Sequence, residues 1–590
     1  SPQLYILNSI IKDGSIVADI SINFNKYGKI KDNYKVEGFI NQVNLSFLNK
    51  FKVKDLNFAF NVVKNKYLFK EINTIFNGIN IKSPQIQIKE KKNLYLVDGI
   101  LTNKNHSFEG KDQRLVLGNL FNNFDIKKIE FSSSNNFSFS ISRKYKFNNF
   151  KVETAIDLTE LAFAEKSLDF RRYLPNLTEN IKFNNHKIKI NYNKDKLTIN
   201  GNGDILFTDK FEKFSYEIAK RDNQLFFDTK LNIKNNPLSI EFLDYKKKIG
   251  SDLLISMNGI QKNGKIRFKS ISLEEDKNKI LINNLKLSQS FKVTDVDLVN
   301  INFKNNKNLT NNISLKKNNS NFFLEGDLFD ATKIINNIMD NDKQSISFFE
   351  NLNSKIEIKI KKFYIDEVNY MNNLNGDINF KNNKLDSLKL ISVFQNKNET
   401  KLSIKTNNNS EIETKLFSSY PKPLIKRYDF IKGFEEGYLN FYSSKKGDIS
   451  NSVLIISDFK IKEVPIFAKL LSLASLQGIA DLLTGEGIRF TDFEMNYSKQ
   501  KGLTKIEEIY AIGPVVSILM DGYIESKKLV SMRGTLVPAT TINKTIASIP
   551  LLGKILIGDK KGEGVFGVSF KIKGPPKNLK TSVNPIKTLT

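Results

Sequence analysis

The chain has 590 residues, of which 40% are hydrophobic and 26% charged, so it is globular in composition and long enough for several domains or one long repetitive structure. It contains no cysteine, which excludes disulfide bonds and thiolate metal sites. Its formal net charge of +28 comes from lysines spread along the chain, without an RNP-type motif, a zinc finger or a basic helix, so we expect no nucleic-acid partner.

Hydrophobic and polar residues alternate with a period of two along most of the chain, which is typical of strands with one apolar and one polar face. The clearest runs place on one side Ile188, Ile190 and Tyr192; Leu197 and Ile199; Ile356, Ile358 and Ile360; Ile378 and Phe380; Leu388 and Leu390; and Val568, Phe570 and Ile572. No βαβ units separate them, which argues against a doubly wound α/β fold. We therefore predict a mostly β protein in which successive antiparallel strands form a long curled sheet. These apolar residues would line an elongated groove.

Helical spacing interrupts the alternation in a few segments, from Asp157 to Leu174, from Asp330 to Met339 and from Pro465 to Leu483. The third is the strongest, because Pro465 suits a first helical turn and Gly485 suits a stop. Its apolar residues are Ile466, Phe467, Leu470, Leu471, Leu473, Leu476, Ile479, Leu482 and Leu483. Two interpretations stay open: a core helix that plugs the end of the sheet, or an amphipathic helix that touches membrane or lipid.

Composition changes near residue 420, beyond which glycine is denser and asparagine rarer. We predict a repetitive β-groove body over 1–420 and a C-terminal region over 421–590 that contains the amphipathic helix 465–483. No stretch approaches the ~20 uncharged apolar residues that span a bilayer. The chain starts without methionine and without a visible signal peptide, so we expect a fragment or a processed form.

Candidates for catalysis are few. His106 and His186 lie in polar contexts without metal-ligand spacing, so we expect surface histidines. Residues 562–567 fit G-x-G-x-x-G, but a strand pattern follows where a dinucleotide site needs a helix, so we expect a glycine-rich turn. The acidic pairs Glu274-Glu275 and Glu435-Glu436 are expected to be solvated. We therefore predict no enzyme, no metal and no cofactor.

The region from about 420 to 590 resembles the C-terminal region of AsmA-like proteins, in particular the YhdP-type members. An ordered set of residues carries the resemblance: Asp458-Phe459, Pro465, Leu470 to Leu476, Gly478, Gly485 to Phe490, Gly513, Gly522, Gly534 to Ala539, Ile549 to Gly553, Gly574 and Asn584-Pro585. Weaker family elements are 326–331 and the strand pattern from Ile365 to Leu390. The remaining chain is similar to the family only in its general sequence character, without specific motifs.

The resemblance implies a bridge-like lipid-transfer protein. Such a protein would carry phospholipids along a β-groove between the inner and outer membranes of a Gram-negative envelope. We expect a periplasmic protein, anchored to the inner membrane by an N-terminal helix that this sequence does not include. Its expected partners are phospholipids and the two membranes, with other envelope proteins as further candidates. The positive charge would then attract anionic headgroups, although the simpler interpretation, which we prefer, is that lysine fills solvent-facing strand positions.

Two other functions remain as alternatives. The sheet could be a structural scaffold for outer-membrane assembly, as is thought of the related TamB proteins, with the apolar face as an ordinary closed core. An envelope enzyme acting on polysaccharide would need two carboxylates that converge in a cleft, and nothing in the sequence brings two together.

Overall fold

Alternating apolar and polar residues form the strands of the described part of the chain, because each strand can place its apolar side chains on one face of a sheet. The computed structural model describes residues 11–31, 34–47, 51–91, 93–109, 125–144, 146–164, 173–174, 176–335, 350–394, 397–426, 432–463, 487–526, 528–538, 565–576 and 578–589. Most of these residues are in strands, which confirms the predicted fold class. The chain divides into two units, Ser1–Leu309 and Thr310–Thr590, here called the N-terminal and C-terminal units. The predicted boundary at residue 421 lies inside the second unit and stays a prediction.

The N-terminal unit is built from long strands, with two short ones in an insertion and a third short one near its end. They are β1 (Ile11–Ser21), β2 (Lys35–Phe47), β3 (Phe51–Val63), β4 (Lys66–Phe76), β5 (Ile79–Lys91), β6 (Leu94–Glu109), β7 (Asp125–Ser142), β8 (Phe147–Ala164), β9 (Asn180–Asn193), β10 (Lys196–Leu206), β11 (Phe211–Arg221), β12 (Gln224–Ile233), β13 (Ser239–Ile240), β14 (Tyr245–Lys246), β15 (Leu253–Lys262), β16 (Lys265–Glu275), β17 (Asn278–Leu287), β18 (Val293–Asp295) and β19 (Leu298–Lys304). A 3₁₀ turn, Glu241–Leu243, lies between β13 and β14.

The C-terminal unit has the same character. Its strands are β20 (Thr310–Asn318), β21 (Asn321–Asp330), β22 (Ser354–Tyr364), β23 (Tyr370–Lys381), β24 (Lys384–Phe394), β25 (Glu399–Thr406), β26 (Glu411–Ser418), β27 (Lys432–Lys446), β28 (Ile449–Glu463), β29 (Ile488–Gln500), β30 (Leu503–Ile512), β31 (Val516–Glu525), β32 (Leu529–Pro538), β33 (Val565–Gly574) and β34 (Lys580–Leu589). One helical turn, α1 (Lys422–Ile425), precedes β27.

Strands pair with their neighbours in sequence in both units. In the N-terminal unit the described pairings are antiparallel, and β13 and β14 form a separate small hairpin. In the C-terminal unit the exception is β21 with β22, which are parallel, with Leu324 opposite Ile358. The expectation of antiparallel pairing throughout is therefore wrong at this one described pair, because a long connection replaces the hairpin there.

Bulges bend several strands of the N-terminal unit at matching positions. Gln42, Asp55 and Glu71 on β2, β3 and β4 adopt positive φ angles of 53°, 50° and 54°. The register shifts at the same places. An asparagine side chain satisfies one freed amide, since Gln42 N–H donates to Asn57 Oδ1 at 2.9 Å. Because a bulge increases local twist and bends its strand, these positions curve the sheet.

The structure contradicts the first predicted helix over its described part. Residues 157–164 belong to β8, where Leu158 lies opposite Phe131 and His186. The register of β7 with β8 shifts between Glu130 and Phe131, which inserts one extra residue into β8. That extra residue separates Leu158 from Leu161 by three positions and imitates a helical period.

The other two predicted helices are described in part or not at all. Asp330 is the last residue of β21, and residues 332–335 are helical. The rest of that segment lies outside the described residues. So does the whole of 465–483, including all the apolar helix residues named above. In the glycine-rich segment 562–567, Val565 to Gly567 belong to β33 and the remainder is not described.

Candidate functional site: the apolar face of the sheet

Register shows which side chains share a face, because residues directly opposite on neighbouring strands project to the same side. In the N-terminal unit one unbroken row of such partners crosses the sheet from β1 to β17. It consists of Ala18, Gly38, Phe60, Phe69, Ile86, Gly99, Phe137, Val152, Tyr192, Leu197, Lys220, Leu225, Gln261, Ile266 and Leu287. We call the side of the sheet that carries this row the inner face of the N-terminal unit.

The four residues that the sequence predicted in this unit lie on the inner face. Ile190 is opposite Ile199, and Leu197 belongs to the row above. Ile188 is opposite Ile156. All of these predicted side chains are half-buried, whereas Lys187 and Lys189 on the other side of β9 are exposed. An apolar surface of this kind remains accessible to an apolar ligand.

The C-terminal unit has an equivalent row. It consists of Ile358, Gly376, Leu390, Leu402, Leu416, Phe441, Leu454, Met495, Ile509, Met520, Gly534 and Phe570. Ile356, Ile378 and Leu388 form part of a neighbouring row. Each of the remaining predicted residues lies two positions from a member of these rows on its own strand and therefore projects to the same face: Ile360, Phe380, Val568 and Ile572. The predicted residues of this unit therefore share one face. Their assignment as a groove lining stays a prediction.

Burial differs along the face of the C-terminal unit. Ile356, Ile378, Leu388 and Leu390 are half-buried, whereas Ile358 and Ile360 are buried. Val568, Phe570 and Ile572 are also buried, and the last two belong to a packed cluster that extends back to Ile425. At the centre of this cluster Phe434, Phe459 and Phe490 stack on three successive strands with ring centroids 5.3 Å apart. Part of this face is thus an ordinary packed core.

An aromatic cluster on the inner face of the N-terminal unit surrounds His186. The imidazole is fully buried, with the rings of Phe183 at 5.0 Å and Tyr216 at 5.9 Å. It fits because Gly203 has no side chain, since a Cβ there would approach His186 Cδ2 to 2.4 Å. Nε2 donates to the carbonyl of Asp204 at 3.0 Å, because a carbonyl can only accept. Nδ1 is then left buried without a partner in the described residues.

The prediction that both histidines lie at the surface is wrong. Burial lowers the pKa of His186 despite the hydrogen bond to Asp204. His106 is half-buried beside Phe108, at 4.2 Å between ring centroids, and burial lowers its pKa as well. The positive φ of Asn185, 53°, marks a bulge next to His186, and that bulge is not visible as a sequence pattern. Both imidazoles are therefore neutral members of the packed face near pH 7.

A buried polar network holds the insertion between β12 and β15 against the sheet. The carboxylate of Glu212 accepts backbone N–H groups from Lys234, Asn235 and Asn236 at 2.7–2.8 Å. Lys247 is 1% exposed, and its Nζ donates to the carbonyls of Lys234 and Lys248. Burial lowers the pKa of the Lys247 amine.

The second half of this network corrects another expectation. Glu275 is buried rather than solvated, and its carboxylate accepts from Tyr245 at 2.6 Å and also from Ser251. Burial and the neighbouring carboxylate raise the pKa of the Tyr245 phenol. The Tyr245 ring packs edge-on against Phe303, 5.6 Å away. The buried polar groups of this network have hydrogen-bond partners, so its role is structural: it holds the insertion against one end of the inner face.

Other members of the two acidic pairs form surface ion pairs, for example Glu436 with Arg489 at 2.7 Å and Glu274 with Lys279 at 2.9 Å. Within the described ranges, no group of three or more His, Asp or Glu side chains is placed to hold a metal ion. In the same part of the chain, no helix has the length and apolarity that crossing a bilayer requires.

Comparison with known proteins gives no assignment. No family model matches the chain, and no curated protein matches it significantly.

Proposed function

We propose that this protein binds phospholipids by their acyl chains along the inner face and carries them between the two membranes of a Gram-negative envelope. The main observation behind this proposal is the inner face of the N-terminal unit, which continues from strand to strand and whose four predicted residues are half-buried rather than packed away. Each methylene group moved from water onto such a surface contributes about 0.8 kcal/mol. A row without a deep pocket would let an acyl chain slide from strand to strand. The resemblance of residues 421–590 to AsmA-like proteins supports the same proposal.

The test uses neighbouring residues on opposite faces of β9. Ile190→Asp places a carboxylate on the inner face, between Ile199 and Thr154. Lys189→Asp places the same group on the exposed face one residue away. The measurement is phospholipid per protein chain, from mass spectrometry of organic extracts, together with transfer of labelled lipid between vesicles.

We expect the wild type and Lys189→Asp to retain several phospholipids and Ile190→Asp to lose most of them, because a carboxylate is costly to bring against an acyl chain. Equal lipid content and transfer in both variants would contradict lipid carriage along this face.

A structural scaffold for outer-membrane assembly is the second candidate. The observation that favours it is the packed cluster around Phe459 in the C-terminal unit, where the apolar face is buried as a core. A wild-type protein that retains no lipid under gentle purification would favour the scaffold over the carrier.

A further inference from the structure

The topology of the N-terminal unit sorts its turns between two edges of the sheet. Since successive strands are antiparallel, every second connection returns to the same edge. One edge receives the connections after β1, β3, β5, β7, β9, β11, β15 and β17. The opposite edge receives those after β4, β10, β12 and β16, among others.

The first edge carries many lysines and arginines and few acidic residues. Its turns and their flanking positions carry Lys26, Lys29, Lys31, Lys64, Lys66, Lys91, Arg143, Lys144, Lys146, Lys194, Lys196, Lys220, Arg221, Lys262, Lys265 and Lys292. The acidic residues that the structure describes in the same turns and flanking positions are Glu90, Asp195 and Asp222. We call this the basic edge.

The opposite edge is mixed in charge. Asp209 adjoins Lys210 in one of its turns, and Asp276 adjoins Lys277 in another. In the insertion, Lys234 forms an ion pair with Asp252 at 3.6 Å. Lysines occur at both edges, so the difference in net charge comes from the acidic residues, which are few at the basic edge and frequent at the opposite one.

The cations of the basic edge are largely uncompensated. Arg143 pairs with Glu90 at 3.2 Å. In the described part of the chain, Lys64, Lys144, Lys194 and Lys220 have no ion pair, and all four are exposed. The side chains are therefore free to reach an external anion.

The basic edge adjoins the inner face directly. Lys220 projects from the inner face, opposite both Leu197 and Leu225, at the end of β11 nearest the turn. Five residues separate Ile188 from the end of β9, a distance of about 17 Å at 3.3–3.4 Å per residue. One bilayer leaflet contributes about 15 Å of hydrocarbon. An acyl chain lying along β9 would thus bring its headgroup to the turns.

We propose that the basic edge holds the phosphate groups of phospholipids whose acyl chains lie on the inner face, so that the protein prefers anionic phospholipids. The inference rests on the proposed function, because the acyl chains must occupy that face. All lipids would then be held in one orientation, with headgroups at the same edge.

The test compares two charge-matched variants of the full chain. In the basic-edge variant, Lys64, Lys144, Lys194 and Lys220 are replaced by Gln. In the control, the exposed Lys210, Lys246, Lys248 and Lys277 of the opposite edge are replaced by Gln. Each protein is incubated with vesicles that contain acyl-labelled phosphatidylglycerol or phosphatidylcholine, separated by flotation, and assayed for label retained on the protein.

We expect the wild type and the control to retain more phosphatidylglycerol than phosphatidylcholine. The basic-edge variant should lose this preference by roughly fivefold for each lysine engaged, and its uptake of phosphatidylcholine should fall much less, because the choline cation offsets the phosphate charge. Added salt should weaken the preference in the wild type, because exposed charges are screened.

Three results would overturn the inference. Equal uptake of the two lipids by the wild type would refute the basic edge and leave acyl binding intact. An equal loss in the control would show that net charge is responsible. Flotation of the protein with anionic vesicles without retained label would assign the edge to membrane docking. Retention of neither lipid would instead refute the proposed function itself.

Discussion

Replacing Phe459 by Ala tests whether the C-terminal unit has a true packed core. The ring is 2% exposed and stacks between Phe434 and Phe490, so its removal leaves a cavity and breaks two aromatic contacts. Phe→Ala in a core costs about 3–5 kcal/mol, and two stacked neighbours place this site at about 4 kcal/mol or more. The matched control is Tyr438→Ala, which removes a 52% exposed ring from β27 and should cost within about 0.5 kcal/mol.

Hydrogen exchange followed by mass spectrometry suits this test, because a long sheet opens in segments and has no single unfolding free energy. A loss of about 4 kcal/mol lowers the protection of amides in β27, β28 and β29 by about a thousandfold. Protection in β9 and β10 should not change. A decrease of less than tenfold in β27 to β29, or an equal decrease for Tyr438→Ala, would refute the assignment of this cluster as a core.

Other predictions concern the N-terminal unit. Since burial lowers the folded-state pKa of His186, the unfolded state binds the proton more readily, so local stability of β9 and β10 is complete above pH 6.5 and falls below it. Below pH 6.5 local stability should fall by at most about 1.4 kcal/mol per pH unit. Hydrogen exchange corrected for intrinsic rates measures this dependence. The same pH dependence in His186→Gln would contradict its assignment to His186. Glu212→Gln should lower the free energy of local opening of residues 234–252 by about 1.5–3 kcal/mol, because a neutral amide replaces the carboxylate that accepts from three backbone N–H groups. Unaltered hydrogen exchange in these residues would contradict this role of Glu212. Gly203→Ala should cost about 1–3 kcal/mol through overlap with His186, and a variant as stable as the wild type would show that the cluster can relax.

Period-two alternation predicted the strands, and the shared faces, of the apolar runs named from the sequence. Ile358 and Phe570 were predicted from separate runs, and the register places them in one row across the C-terminal unit. The pattern works because side chains of a strand alternate strictly between two faces. What alternation could not predict is how deeply each residue is covered, since burial depends on what packs over the face. Ile358 and Phe570 are buried, whereas Leu390 between them is half-buried.

Features that depend on distant partners were missed for physical reasons. The bulge at Gln42 is stabilised by Asn57, fifteen residues away, and glutamine carries no local preference for positive φ. The shift beside Leu158 produced a false helical period, and the bulge at Asn185 accompanied a histidine that was expected at the surface. The network of Glu212 and Lys247 was also missed, because two charged residues far apart in sequence give no sign that they will be buried together.

Pairing between sequence neighbours makes each unit nearly one-dimensional in its energetics. A strand gains stability from the two strands beside it and little from the rest, so free energy accumulates hairpin by hairpin. Damage in β9 should therefore leave β16 intact, and folding should proceed from many starting points with short loops to close. Length is then a tunable quantity: adding or removing a pair of strands preserves the orientation of both faces and returns the next turn to the same edge.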